Sequence, residues 1–294
     1  MLELRSISKS YGPVEAVRSV SFHGGPGEIL AIVGDNGAGK STMLKVLSGA
    51  HRPSTGTVVV RGEELTLRSP LDAEAVGIEA VYQDLALVET LDVASNILLG
   101  RETARRGLLG ALGFINKGEM RRTSAQVLHD QLGVKFGSLR RPVETLSGGQ
   151  RQAVAIARAA ARVEEAGEGI ILLDEPTAAL GVAQTERVKQ LVRRLSAQRH
   201  LVIVVSHDLS SVFDLASRIL VMRLGRLIAD VTPDQVDLAT IVGLITGAVM
   251  PATIDPEPAI GESASAVDPG AAPGPLVDST TNGATSSRGN GGIG

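Results

Sequence analysis

From Gly34 the chain reads Gly34-Asp35-Asn36-Gly37-Ala38-Gly39-Lys40-Ser41, followed by Thr42. The spacing G-x-x-x-x-G-K-[ST] is that of a loop wrapping the phosphates of a nucleotide. Glycines at 34, 37 and 39 let backbone N–H groups approach phosphate oxygens, and a helix starting there points its positive dipole end at the same anion. Lys40 would neutralise the outer phosphates of ATP, and Ser41 would place its hydroxyl on the Mg²⁺ that bridges them. Alone, such a loop means nucleotide binding and no more, because kinases, GTPases and many ATPases share it.

A second constellation is Ile170-Ile171-Leu172-Leu173-Asp174-Glu175, two adjacent carboxylates at the end of an apolar run. Asp174 would hold the Mg²⁺ shell, and Glu175 would act as general base on the attacking water. A third is Leu146-Ser147-Gly148-Gly149-Gln150, where Ser147 suits a helix cap and the glycines permit close approach to an anion. Read alone, that segment is a helix cap with a flexible lead-in. Read with the first loop, it gives one chain two helix ends fit for anions.

The elements that must position these residues follow from periodicity. Glu28 to Val33 is a short apolar run before the glycine-rich loop, and Met43, Leu44, Val46 and Leu47 carry a helical spacing after it. Ile170 to Leu173 and Leu201 to Val205 are continuously apolar, as strands covered on both faces are. The architecture expected is an open α/β sheet whose functional loops leave the carboxyl ends of its strands. Residues 1–25 and 57–82 carry the alternation of a small antiparallel β-layer. Residues 86–160 read as a mainly helical subdomain, with Ala125, Leu128 and Leu132 on one apolar face. The segment 162–169 reads as a surface loop, and 249–294, rich in Pro, Gly, Ala, Ser and Thr, as a disordered tail.

Composition excludes several classes. The absence of cysteine removes disulfides, thiolate metal sites and cysteine catalysis. A net charge of −3, with arginine pairs scattered at 105–106, 121–122, 140–141 and 193–194, offers no nucleic-acid surface. No apolar run has the length of a secretory signal or a membrane span, so the expected location is the cytoplasmic side. Six aromatics in 294 residues leave the core to aliphatic side chains.

Taken in order, GDNGAGKST, Gln83 in VYQD, LSGGQ, ILLDEP and Ser206-His207 resemble the nucleotide-binding domain of ABC transporters over residues 1–248. The fold this resemblance implies is a P-loop NTPase (RecA-like) core with an antiparallel β-subdomain and a helical subdomain. It also implies a head-to-tail homodimer or pseudodimer, in which the phosphate loop of one subunit and the LSGGQ of the other clamp the same ATP; with a single copy of every motif, this chain is expected to pair with itself. By the same resemblance Tyr11 stacks on adenine, and Gln83 senses Mg²⁺ and links to a transmembrane permease. Ser147 and Gly149 touch the γ-phosphate held by the opposite copy, and His207 meets the γ-phosphate and attacking water. His23, His51, His129 and His200 keep a structural reading.

VYQDLALVETLDVASNILLGRE and DEPTAALGVAQT look like the carbohydrate importers of ribose, xylose and fructose type, which work at the cytoplasmic face of the membrane with a permease and, indirectly, a sugar-binding protein. Import of another small solute, or a non-transport ABC switch, are the alternatives. One departure stands out. The family's S-A-L-D loop ends here in Ala179-Leu180-Gly181, without the aspartate.

Overall fold

The computed structural model describes residues 1–134, 136–164 and 167–249. β1 (Leu2–Tyr11), β2 (Val14–Gly24), β4 (Thr55–Val60) and β5 (Glu63–Leu65) make an antiparallel sheet in the order β2-β1-β4-β5. A second sheet contains β3 (Ile29–Val33), β6 (Ile78–Val81), β7 (Ile170–Asp174), β8 (Leu201–Val205), β9 (Arg218–Arg223) and β10 (Arg226–Val231). Its order is β10-β9-β3-β8-β7-β6, parallel throughout except for the β9–β10 hairpin.

The expected antiparallel layer therefore stops short of 82. Ile78–Val81 pairs parallel with β7 and is covered on both sides, because α2 (Pro70–Ala75) turns the chain out of the small sheet into the large one. Ser69 starts that helix by accepting from the Asp72 N–H, while the Asp72 carboxylate accepts from the Ser69 N–H, a reciprocal cap.

Helices cover the large sheet. α1 (Lys40–Leu47) buries Met43, Leu44, Val46 and Leu47 with Ile32, Leu172 and Ile203. Against the opposite face lie α6 (Gly148–Glu164) and α7 (Val182–Ala197), with Val154, Ile156, Val188 and Leu191 packed with Ile171, Leu173 and Val202. α8 (Leu209–Leu215) and α9 (Leu238–Thr246) bury Val212, Ile241 and Leu244 with Val33, Ile219 and Val221. Phe22 is the one aromatic among the buried described residues, as the composition requires.

Between residues 86 and 160 the regular elements are helical, although long loops join them: α3 (Val93–Ile97), α4 (Leu108–Ala111), α5 (Lys117–Gln126), a π-turn at Val127–Gln131 and most of α6. The apolar face of α5 differs from expectation. Ala125 is exposed, and the buried row is Met120, Ser124, Leu128 and Leu132, spaced by four. Ser124 occupies the inward position because its hydroxyl donates to the Ala94 carbonyl at 3.3 Å. The expected loop at 162–169 is also shorter than read. α6 runs through Arg162 and Val163, and Val163 is fully buried, so close to Gly169 that a Cβ there would lie 2.4 Å from it. The tail expected from 249 lies outside the described residues apart from Val249, whose N–H donates to the Gly243 carbonyl at 3.0 Å.

A carboxyl group is buried within this frame. Glu79 on β6 pairs its Oε1 with Arg162 at 3.6 Å, beyond hydrogen-bond reach, and that oxygen has no hydrogen-bond partner among the described residues. Glu74 on α2 binds both Arg162 (3.3 Å) and Arg101 (3.0 Å) beside it. Burial pushes the Glu79 carboxyl up to about 7, with Arg162 pulling the other way. The folded protein then holds a proton that the unfolded chain releases near 4.5, so the pH-dependent penalty of Glu79 is absent below that value, and stability falls as pH rises towards 7. Glu79→Gln removes this slope. Relative to wild type it is expected to gain roughly 2–3 kcal/mol between pH 5 and pH 8, read as melting temperatures at both.

Candidate functional site

Four chemistry-bearing segments leave the carboxyl ends of four adjacent parallel strands. In sheet order they are the glycine-rich loop after β3, Ser206-His207 after β8, Asp174-Glu175 at the end of β7, and Gln83 after β6. Register makes them neighbours, with Ile32 paired to Val205, Asp174 to Val205, and Val81 to Leu173. Sequence-distant residues thus share one edge, where ligands of open α/β sheets bind.

The phosphate loop is shaped by its surroundings. Gly39, at φ 104°, caps α1, and a Cβ there would stand 2.5 Å from the Ala16 carbonyl. Gly34 meets the Met222 carbonyl in the same way, at 2.3 Å from a would-be Cβ. The turn after β9 closes the ring, with Gly225 N–H donating to Ala38 O at 3.0 Å and Arg18 N–H to Gly225 O at 2.7 Å. Lys40 is buried, and its ammonium donates to the carbonyls of Gly34 (2.7 Å) and Asp35 (3.0 Å). Asp35, Asn36, Gly37 and Ser41 are exposed, and Thr42 is half-buried.

Burial lowers the Lys40 pKa, opposed by Glu175, Asp35 and Asp174. Burial and the adjacent Glu175 raise that of Asp174, opposed by Lys40 and Lys45. Asp174 is therefore a half-buried carboxylate that its two lysine neighbours do not fully compensate. A divalent cation would satisfy it. With Ser41 and Gln83 on the same edge, the donor set is all oxygen, which fits Mg²⁺ shared with phosphates.

Glu175 adopts the left-handed conformation, φ 51°, held by its N–H donating to Val205 O at 2.9 Å. For a residue with a Cβ this costs about 1 kcal/mol. Its Oε2 meets Nδ1 of His207, which is largely exposed. Of the other histidines, His200 is structural as expected, buried and accepting from the Gly169 N–H at 3.0 Å. His23 and His129 are exposed.

Tyr11 ends β1, on the hairpin whose other strand supplies Ala16 to Gly39. It is half-exposed, with the Lys9 ammonium 5.2 Å from its ring centroid and the His51 ring edge-on at 5.6 Å. His51, given a structural reading from sequence, is half-buried, and its contact with a ring forty residues away is marked by no motif.

Arg158 belongs to no motif in the sequence. From α6 its guanidinium donates to the carbonyls of Leu85 and Ala86, both at 2.7 Å, two residues whose φ angles are 58° and 44°. It fixes the turn after Gln83 and ties it to the helix that begins at LSGGQ. Arg158→Ala is expected to lower kcat for ATP about tenfold while leaving nucleotide affinity unchanged, measured by steady-state hydrolysis and equilibrium binding.

LSGGQ itself opens α6. Gln150 N–H donates to Ser147 Oγ at 3.3 Å and Ser147 N–H to Gln150 Oε1 at 3.0 Å, a reciprocal cap that leaves the Ser147 side chain exposed. Gly148 packs against Leu180 and Gly149 against Gln184, with a groove of about 370 Å³ beside them. No hydrogen bond or ion pair among the described residues joins Ser147, Gly148, Gly149 or Gln150 to the glycine-rich loop. Gly181, where the family usually has aspartate, caps α7 without a side-chain bond.

Residues 17–178 match the family described as ABC transporter. The chain is 40% identical over 252 residues to the fructose import ATP-binding protein FrcA of Rhizobium meliloti, covering 85% of this chain and 95% of that one. It is 39% identical over 246 residues to the xylose/arabinose import ATP-binding protein XylG of Sulfolobus acidocaldarius, covering 84% and 94%. With the ribose import ATP-binding protein RbsA of Rhodococcus jostii it shares 41% over 263 residues, 88% of this chain but half of the relative. Among solved structures, a nucleotide-free ATP-binding cassette of an ABC transporter superposes with a TM-score of 0.67 at 26% identity, covering 79% of this chain and 91% of its own. A dimeric cassette in a post-hydrolysis state with ADP and Pi gives 0.65 at 27%, covering 79% and 99%. The chain belongs to the ABC transporter family, as an ATP-binding protein of the carbohydrate-importer branch.

Proposed function

We propose that this chain is the ATP-hydrolysing subunit of a sugar importer, working as a head-to-tail homodimer on the cytoplasmic face of the membrane. The observation that carries the reading is the single row of Gln83, Asp174, Glu175, His207 and the Lys40 loop on one sheet edge, together with a second anion-ready helix end at Ser147. Tyr11 stacks on adenine, and the glycine loop with Lys40 holds the phosphates. Ser41, Gln83 and Asp174 hold Mg²⁺, which supplies charge neutralisation at the phosphates when bound. Glu175 accepts a proton from water as the water oxygen bonds to the γ-phosphorus. The bond to the β-γ bridging oxygen breaks, leaving ADP and phosphate. His207, against the Glu175 carboxylate, keeps that base oriented. Ser147 and Gly149 of the opposite copy complete the γ-phosphate shell.

Sugar as the cargo is supported by the relatives named for fructose, xylose/arabinose and ribose import. Specificity then lies in a permease and a sugar-binding protein rather than in this chain. Assembled with its permease in lipid vesicles, the subunit should hydrolyse ATP faster when a sugar-loaded binding protein is added on the opposite side. Stimulation by a different class of loaded binding protein would reassign the cargo, and indifference to every one would favour a non-transport switch.

A further inference from the structure

Residues 103–116 form a finger that no part of the proposed ATPase cycle uses. Its base is a short antiparallel ladder, with Asn116 N–H donating to Thr103 O at 2.7 Å, Arg105 N–H to Phe114 O at 2.8 Å, and Ala104 bridging Ile115. The remaining backbone bonds of the finger run within residues 107–114, from Gly110 and Ala111 to Gly107, Leu112 to Leu108, Gly113 to Gly110 and Phe114 to Leu109. Gly110 lies so close to the Arg105 carbonyl that a Cβ would fall 1.7 Å from it. The finger is a built shape.

Its surface is inverted relative to the rest of the domain. Leu108 is 79% exposed, Leu112 65% and Phe114 54%, with Leu109 and Ile115 also exposed. Five large apolar side chains within eight residues of a projecting turn are more than scattered surface hydrophobics. Within the finger the charges have one sign: Arg105 and Arg106 are its cations, Lys117 follows its base, and the flanking carboxylates are engaged elsewhere, Glu102 accepting from the Gly100 N–H at 3.1 Å and Glu119 pairing with Arg122 at 3.1 Å. All three cations are exposed, and neither Arg105 nor Arg106 is paired with a carboxylate among the described residues.

From this we infer that the finger is a membrane-surface contact that inserts Leu108, Leu112 and Phe114 among the acyl chains of an anionic bilayer while Arg105, Arg106 and Lys117 bind its headgroups. Apolar side chains on a convex tip with a cationic collar match the headgroup boundary, where apolar burial and attraction to anionic lipid add. The inference rests on the reading that the subunit works beside a membrane, and it adds a direct lipid contact independent of the permease.

The test uses the full-length chain and vesicles without permease, of phosphatidylcholine alone or with about one quarter phosphatidylglycerol. Wild type should co-sediment with the anionic vesicles at least about tenfold more strongly than with the neutral ones. Leu108→Asp with Leu112→Asp, and separately Arg105→Glu with Arg106→Glu, should each abolish that gain while solution ATP hydrolysis stays at the wild-type rate. Because the chain has no cysteine, Leu112→Cys accepts a single environment-sensitive fluorophore, whose emission should shift to the blue on anionic vesicles only. Equal binding to both vesicles, binding that survives the finger variants, or a fluorophore that stays in water would each overturn the inference. So would finger variants that bind vesicles normally but no longer assemble with the permease, which would make the finger a protein-docking element. None of these outcomes touches ATP hydrolysis, which is tested separately.

Discussion

Glu175→Gln should retain ATP binding, accumulate as an ATP-dependent dimer on size exclusion, and hydrolyse ATP roughly 10²- to 10⁴-fold more slowly than wild type. The substitution keeps the shape of the side chain and the backbone bond from residue 175 to Val205, so the left-handed turn and the His207 contact can persist. Only the capacity to take a proton from water is lost. Turnover near the wild-type rate would show that another group is the base, and Asp174, half-buried with a raised pKa, would be the next to examine.

Ser147→Arg should have a comparable effect by a different route. It removes the cap from α6, at a cost of about 1 kcal/mol, and sets a cation at the positive end of a helix dipole. In isolation the chain should still bind ATP, because the described contacts of the Lys40 loop do not involve residue 147. Hydrolysis should nevertheless fall by about 10²-fold or more, as it does when a donor to a developing anion is removed. Ser147→Thr, which keeps a hydroxyl at the cap, is the control and should stay near wild type. If Ser147→Arg hydrolyses ATP normally, LSGGQ is only a helix cap.

The two variants differ from Arg158→Ala and Glu79→Gln in which residues sequence alone could reveal. β3, β7 and β8 were legible because strands buried on both faces are continuously apolar, and their loops carry residues constrained by phosphate chemistry. β6 was not, since Ile78-Glu79-Ala80-Val81 is short and contains a charge that only its tertiary setting explains. The inward position of Ser124 in place of Ala125 depended on a carbonyl thirty residues away. Arg158 was hidden for a related reason: it acts on main-chain oxygens of Leu85 and Ala86, which leave no trace in side-chain identity. Position within a motif is readable from spacing, whereas support from outside a motif becomes visible only when the chain is folded.

Mixing the two inactive chains measures the shared site directly. When Glu175→Gln and Ser147→Arg chains are combined in equal amounts, half of the dimers pair unlike chains, and one site in each of these joins an intact Glu175 to an intact Ser147 from the other copy. Hydrolysis should then rise to about a quarter of the wild-type rate, although neither chain alone is active. A mixture that stays at the level of its parents would contradict a nucleotide site built from two copies.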